Sequence, residues 1–198
     1  MRRIVAIISV MLVGVVTLSA QSLGDILKGA ASSLVDEVTG GKATELMLPG
    51  TWSYKSPALR LVSDDILSDV VAKAAVESVE SKLEKVYSYV GIVSGACSFT
   101  FNSDDTFSMV LGKRTLTGKY IYEASTHKIT LEFATSLLKL GSMTGYAYID
   151  GQDMDIVFDC NKLYNFLTKL GSKVSALGGI MKITESYDGM MLGFSLSK

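Results

Sequence analysis

Catalysis needs side chains that can move a proton, attack a carbon or hold an ion, and this sequence places few of them in useful company. Its single histidine, His127, sits beside Lys128 in a stretch, 124–127, that reads as a turn. A nucleophilic triad would need that imidazole as its base, and a mixed zinc site would need it as a ligand; a turn position favours neither. The two cysteines, Cys97 and Cys160, have no metal-ligand spacing. Gly141-Ser142-Met143-Thr144-Gly145 has methionine where a nucleophile elbow needs serine. Gly40-Gly41-Lys42 lacks the upstream glycine and the following hydroxyl of a phosphate loop. Asp150, Asp153 and Asp155 crowd one hairpin, but the glycine and terminal glutamate of a calcium loop are missing. They read as solvated strand carboxylates. No catalytic residue, metal site or cofactor is assigned on these grounds.

The compartment is more legible. Met1-Arg2-Arg3 precedes an apolar run, 4–18, and then Ser19-Ala20-Gln21. Charged start, apolar middle and small-residue exit are the parts of a secretory signal, and the run is shorter than the roughly 20 residues a spanning helix needs. Residues 1–20 are therefore expected to be a signal peptide cleaved after Ala20, with Ser19 as the alternative. The protein is expected to be periplasmic or secreted, with no stable membrane insertion after removal of the signal. Cleavage leaves 178 residues, enough for one domain. It also leaves 17 basic residues against 20 acidic ones, no excess with which to neutralise phosphates, so nucleic acid is an unsuitable partner. In an exported chain a disulfide is chemically allowed, but the registers below favour two buried thiols.

Within an N-terminal region 21–45, residues 22–38 read as an amphipathic helix, with Leu23, Ile26, Leu27, Ala30, Leu34 and Val38 at three- and four-residue steps, followed by the linker Thr39-Gly40-Gly41-Lys42. A second helix is expected over about 64–90, capped by Ser63 and closed by Gly91, with Ile66, Val70, Val79, Leu83 and Val86 in its apolar stripe. That stripe must be covered by the outer wall or the mouth of whatever follows. A further helix should start at Asp159 and end at Gly171.

From Cys97 on, the apolar period becomes two. Asking which pairing puts apolar residues on one face gives three hairpins. Phe101 opposite Phe107 sets Phe99 against Met109 and Cys97 against Leu111. Tyr122 opposite Ile129 sets Tyr120 against Leu131, Gly118 against Phe133 and Glu123 against Lys128. A two-residue Asp150-Gly151 turn would set Ala147 against Met154, Gly145 against Ile156 and Met143 against Phe158. Strands are also expected near Thr51–Pro57, weakly at Met181–Tyr187, and at Met190–Leu196 beyond an Asp188-Gly189 turn. The fold class is mainly β.

Pro49-Gly50-Thr51-Trp52 resembles the Gly-x-Trp signature that opens lipocalin-like barrels, and Phe101-x-x-Asp104-Asp105-Thr106-Phe107 followed by Gly118-Lys119-Tyr120 recurs in exported bacterial lipocalin-like domains of unknown function. The chain resembles that family over residues 46–198. The resemblance implies an antiparallel up-and-down barrel of eight or nine strands with two or three added helices. It also implies structural roles for Gly50 and Trp52, the latter closing one end, and it names no ligand. Lipocalins proper place their helix after the barrel, whereas this chain inserts its long helix after the first strand.

A barrel of eight strands is just wide enough to be filled by side chains or to hold one small molecule. Gly118, Tyr120, Gly145, Ala147, Met154 and Ile156 are the cavity candidates, because strand glycines ask for a reason: a bend or room for a guest. A guest there would be apolar and uncharged. The leading expectation is a non-catalytic binding protein holding such a molecule. The alternative is a structural or interaction module with a filled barrel and an envelope protein as partner.

Overall fold

The structure, a computed structural model, describes residues 39–61, 70–134, 140–171, 178, 180 and 189–198. Eight antiparallel strands close into one barrel in sequence order: β1 Gly50–Leu61, β2 Cys97–Phe101, β3 Thr106–Leu111, β4 Arg114–Glu123, β5 Lys128–Phe133, β6 Ser142–Asp150, β7 Asp153–Asp159 and β8 Met190–Ser197. Closure comes from β8, which is paired to β7 on one side and to β1 on the other. Period-two alternation is the cause of the architecture. Strands β2, β3 and β6 bury every second residue, so a closed sheet gathers one face of each into a common interior. The expected helix over 22–38, the weak strand 181–187 and the residue Asp188 lie outside the described residues.

Two of the three expected hairpins form in the expected register. Phe99 faces Met109 and Cys97 faces Leu111. Gly118 faces Phe133, Tyr120 faces Leu131, and Glu123 reaches Lys128, an ion pair of 3.0 Å. The third is displaced. Ala147 lies opposite Ile156 and Ile149 opposite Met154, so the loop is Gly151-Gln152 rather than Asp150-Gly151. The correction keeps each residue on its expected face, because the shift is an even one. A period of two cannot distinguish registers two residues apart, and the observed one gains burial of Ile149 against Met154.

Three α-helices and a 3₁₀ turn, Ala124–Thr126, are the helical elements with described bounds. Residues 39–42 were expected to be a linker, but Lys42 already begins α1, Lys42–Met47, which lies against β6. Six residues are too few to show a helical period. The segment is held by burial of Ala43, Thr44 and Leu48 at one end of the barrel. Helix α2, Val70–Tyr89, packs on β1. Its stripe residues Val79, Leu83 and Val86 are fully buried. Ile66 and the expected Ser63 cap lie outside the described residues, as does the side chain of Val70. The helix closes as expected at Gly91: the Gly91 N–H donates to the Ser88 carbonyl and the Ile92 N–H to that of Tyr87. Helix α3, Cys160–Leu170, starts where Asp159 accepts from the backbone N–H of Asn161 and Lys162, and ends at Gly171.

β2 pairs only with the first part of β1, Gly50–Ser53, so the rest of β1 has a strand on one side only. The C-terminal turns of α2 pack beside that stretch. Tyr87 stacks on inward-facing Phe194 at 5.1 Å between centroids, and its hydroxyl donates to the Gly193 carbonyl at 2.8 Å. The long helix thus finds its cover along β1, and its Tyr87 joins the barrel interior there.

Candidate functional site

The six cavity candidates alternate onto the inner face of β4, β6 and β7, but the space they surround is occupied. Ala147, Met154 and Ile156 expose 0% of their surface, to solvent or to any void a water would enter, and Tyr120 is buried. The two glycines are where the backbone comes closest. A Cβ at Gly118 would collide with the Glu132 carbonyl oxygen on β5 and press on the Phe107 ring. At Gly145 it would collide with the Val157 carbonyl oxygen and the Phe158 ring. Both glycines therefore serve tight curvature of the wall, and neighbouring phenylalanines use the room they leave. Phe107 and Phe133 meet edge to face at 5.4 Å across Gly118.

The centre of the interior is aromatic. Phe194 contacts Tyr54, Tyr87, Phe99 and Phe158, with centroids 5.1–6.4 Å apart. One group here escaped sequence reasoning. The Tyr54 hydroxyl is buried with no hydrogen-bond partner among the described residues. Burial, reinforced by Glu84, holds its pKa well above the ordinary tyrosine range. An alternating pattern shows only that Tyr54 points inward. Whether its hydroxyl finds an acceptor is decided by the neighbours. Cys97 and Cys160 are both buried thiols outside any disulfide, each donating to a backbone carbonyl, of Gly91 and Met190 respectively.

At the end of the barrel where β1 begins, Trp52 is fully buried and its indole N–H donates to the Leu48 carbonyl at 2.9 Å. The Lys198 ammonium lies 4.4 Å from the ring centroid and donates to the carbonyls of Met47 and Pro49. Gly50 opens the strand beside it. The resemblance read in the sequence gives Trp52 the closing of one end, and its side chain lies at this end of the barrel.

A family model, the lipocalin-like domain (DUF4923), matches residues 23–198. The chain belongs to this lipocalin-like domain family. Its match begins upstream of residue 46, the start of the resemblance read in the sequence. Among solved structures it is similar to the crystal structure of a duf4847 family protein from Bacteroides vulgatus ATCC 8482, with 10% identity, 77% of this chain and 94% of that chain covered, and a TM-score of 0.39. No curated protein matches the chain.

The polar chemistry of this lipocalin-like barrel is on its outer wall. Asp153 accepts from Lys55 at 2.8 Å, both half exposed. Asp155 is more sheltered than the solvated carboxylate expected from the sequence. Burial raises its pKa, against the opposing influence of a Ser195 hydrogen bond and the positive charges of Arg60 and Lys55. Tyr148, opposite Asp155, carries the Arg60 guanidinium 3.7 Å over its ring and stacks on His127 at 5.0 Å. His127 occupies the expected turn, in the left-handed region at φ 53°.

Two of the open grooves lined by described residues lie near the cavity candidates and α3. One, of about 610 Å³, is lined by Gly118 and the rings of Phe107 and Phe133 together with the outward side chains Thr106, Ser108, Thr117, Lys119 and Glu132. The other, of about 210 Å³, lies between α3 and the β5–β6 edge.

Proposed function

We propose that this protein is an exported, non-catalytic interaction module: a lipocalin-like barrel filled by its own side chains, which meets its partners in the cell envelope through its outer surface. The observation that carries this reading is the complete burial of Ala147, Met154 and Ile156, where a guest would have to sit. The placement of the single histidine supports a non-catalytic role, since His127 is engaged in a turn and in stacking with Tyr148. Export is supported by the composition of residues 1–20, and the periplasm or the exterior is the proposed location.

The test is overpacking. In a filled interior Ala147→Trp forces strain and should lower stability by at least about 1–3 kcal/mol in urea unfolding, and an apolar fluorescent probe should not bind the wild-type protein. Probe binding by wild type, abolished by Ala147→Trp with stability unchanged, would establish the carrier of a small apolar molecule instead. Export is checked by intact mass of protein from the envelope fraction, expected to begin at Gln21 or Ala20; retention of Met1 refutes it.

A further inference from the structure

We propose that the surface where the last turns of α2, the link from α2 to β2 and the β3–β4 turn meet docks on an anionic lipid surface. The proposal rests on the reading of an interaction module that works through its outer surface, and it gives that surface a partner. Helix α2 separates its charges. Glu77, Glu80 and Glu84 lie on one flank of the buried stripe Val79, Leu83 and Val86, beside Ser56 and Pro57 of β1. Lys82, Lys85 and Tyr89, at steps of three and four, lie on the other flank, and all three are exposed. Beyond the helix, the backbone at Gly91 meets that at Gly112: a Cβ at Gly112 would lie 2.9 Å from the Gly91 carbonyl oxygen. The Gly112 N–H also donates to the Ala96 carbonyl at 3.2 Å. These contacts bring exposed Lys113 to the same place. Among the described residues none of the three lysines pairs with a carboxylate. Arg114 is not counted with them, because its guanidinium donates to the Leu170 carbonyl.

Between the lysines the chain is neutral. From Ser88 to Ala96 no side chain is charged. Two large apolar side chains stand out from this stretch, Tyr89 at 76% exposure and Val93 at 40%. They flank the reversal at Gly91, and Ser94, Gly95 and Ala96 beside them are small and exposed. A neutral tip of this kind enters a headgroup layer without desolvating a charge. Tyrosine, apolar in body and polar at its end, suits that layer, and the lysines at the rim reach the lipid phosphates. An acidic protein segment would use the lysines but leave Tyr89 and Val93 in water. The net charge of the chain is −1, so it offers no general attraction to an anionic surface and the attraction has to be local. Solvated lysines alone predict no lipid binding.

The experiment is co-sedimentation of the mature protein with vesicles of mixed phosphatidylglycerol and phosphatidylcholine, and with vesicles of phosphatidylcholine alone. The mixed vesicles should bind, more weakly as salt is added, and the neutral ones should not. Lys113→Gln, with an unchanged melting temperature, should lower partitioning about fivefold, and the triple variant Lys82→Gln/Lys85→Gln/Lys113→Gln on the order of a hundredfold. Tyr89→Ser should also weaken binding, whereas Lys119→Gln, on the outer face of β4, should not. Absence of binding to mixed vesicles, equal binding to neutral ones, undiminished binding by the triple variant or by Tyr89→Ser, or an equal loss with Lys119→Gln each overturns the proposal. Capture of polyglutamate instead of vesicles, lost in the triple variant, would assign the surface to an acidic protein segment and overturn it too. The filled-barrel reading is judged separately, because Ala147→Trp and the apolar probe report on the interior whatever the vesicles do.

Discussion

The inner and outer faces of this barrel are built from the same strands, residue by residue in alternation, yet they obey different physics. On the inner face Phe99, Phe158 and Phe194 expose almost nothing and lie in contact with one another through Phe194. Removing one side chain there leaves a hole that close-packed neighbours cannot collapse to fill. On the outer face Lys55 and Asp153 pair with half their side-chain surface in water. Solvent competes for each of them, and their attraction is screened. The stability of the fold therefore resides inside, while chemistry that can meet another molecule resides outside. A lipocalin-like fold does not by itself imply a ligand chamber.

The contrast yields a graded series of tests. Phe194→Ala strikes the centre of the interior and should cost about 3–5 kcal/mol in chemical unfolding; a loss below about 1 kcal/mol would mean that the interior is loosely packed. Gly145→Ala should cost about 1–3 kcal/mol, because the new methyl meets the Val157 carbonyl and the Phe158 ring. If it is neutral, the wall is not tightly curved there.

Two of the buried tyrosines, Tyr54 and Tyr87, sharpen the point within the interior. Tyr87→Phe deletes a hydrogen bond to the Gly193 carbonyl and should cost about 1 kcal/mol. Tyr54→Phe deletes a hydroxyl that has no partner among the described residues, so it should be neutral or stabilising in the same thermal-melt comparison. Equal losses in the two variants would remove that distinction.

The outer face should answer weakly and in a pH-dependent way. The carboxyl of Asp155 is held above its ordinary pKa, chiefly by burial. The folded state then binds this proton more tightly than the unfolded one. The stabilisation is complete below the ordinary aspartate range and is lost as pH rises through the raised value. Asp155→Asn should accordingly gain stability relative to wild type between acid and neutral pH, measured by melting across that range; a gain on acidification instead would reverse the assignment. Lys55→Ala, which breaks the exposed pair with Asp153, should change stability by no more than about 1 kcal/mol.

Much of this arrangement was legible in advance, and the failures share a cause. The Phe99/Met109 and Tyr120/Leu131 pairings follow from alternation alone. The third hairpin pairs two residues away from the register that the Asp150-Gly151 dipeptide suggests, because alternation is silent on even shifts and the observed pairing buries Ile149. Helix α1 was missed because six residues carry no period. The strand glycines Gly118 and Gly145 are visible in the sequence, but a sequence contains no distance. It could not show that the Phe107 and Phe158 rings lie where a Cβ at Gly118 and Gly145 would be.

The sequence by itself determined the β-barrel class, the faces of its strands, the position of α3 and its Asp159 cap, and the inward burial of Cys97 and Trp52. These depend on neighbours a few residues away, or on a period that any closed sheet must respect. Only the tertiary structure decided that Tyr87 completes the interior against Phe194, that the Tyr54 hydroxyl stays unpartnered while that of Tyr87 bonds, that Asp155 is sheltered, and that Lys162 and Lys169 meet Phe133 across a groove. Each of these joins segments tens of residues apart, and packing is a property of volumes in three dimensions, which alternation along a chain does not encode.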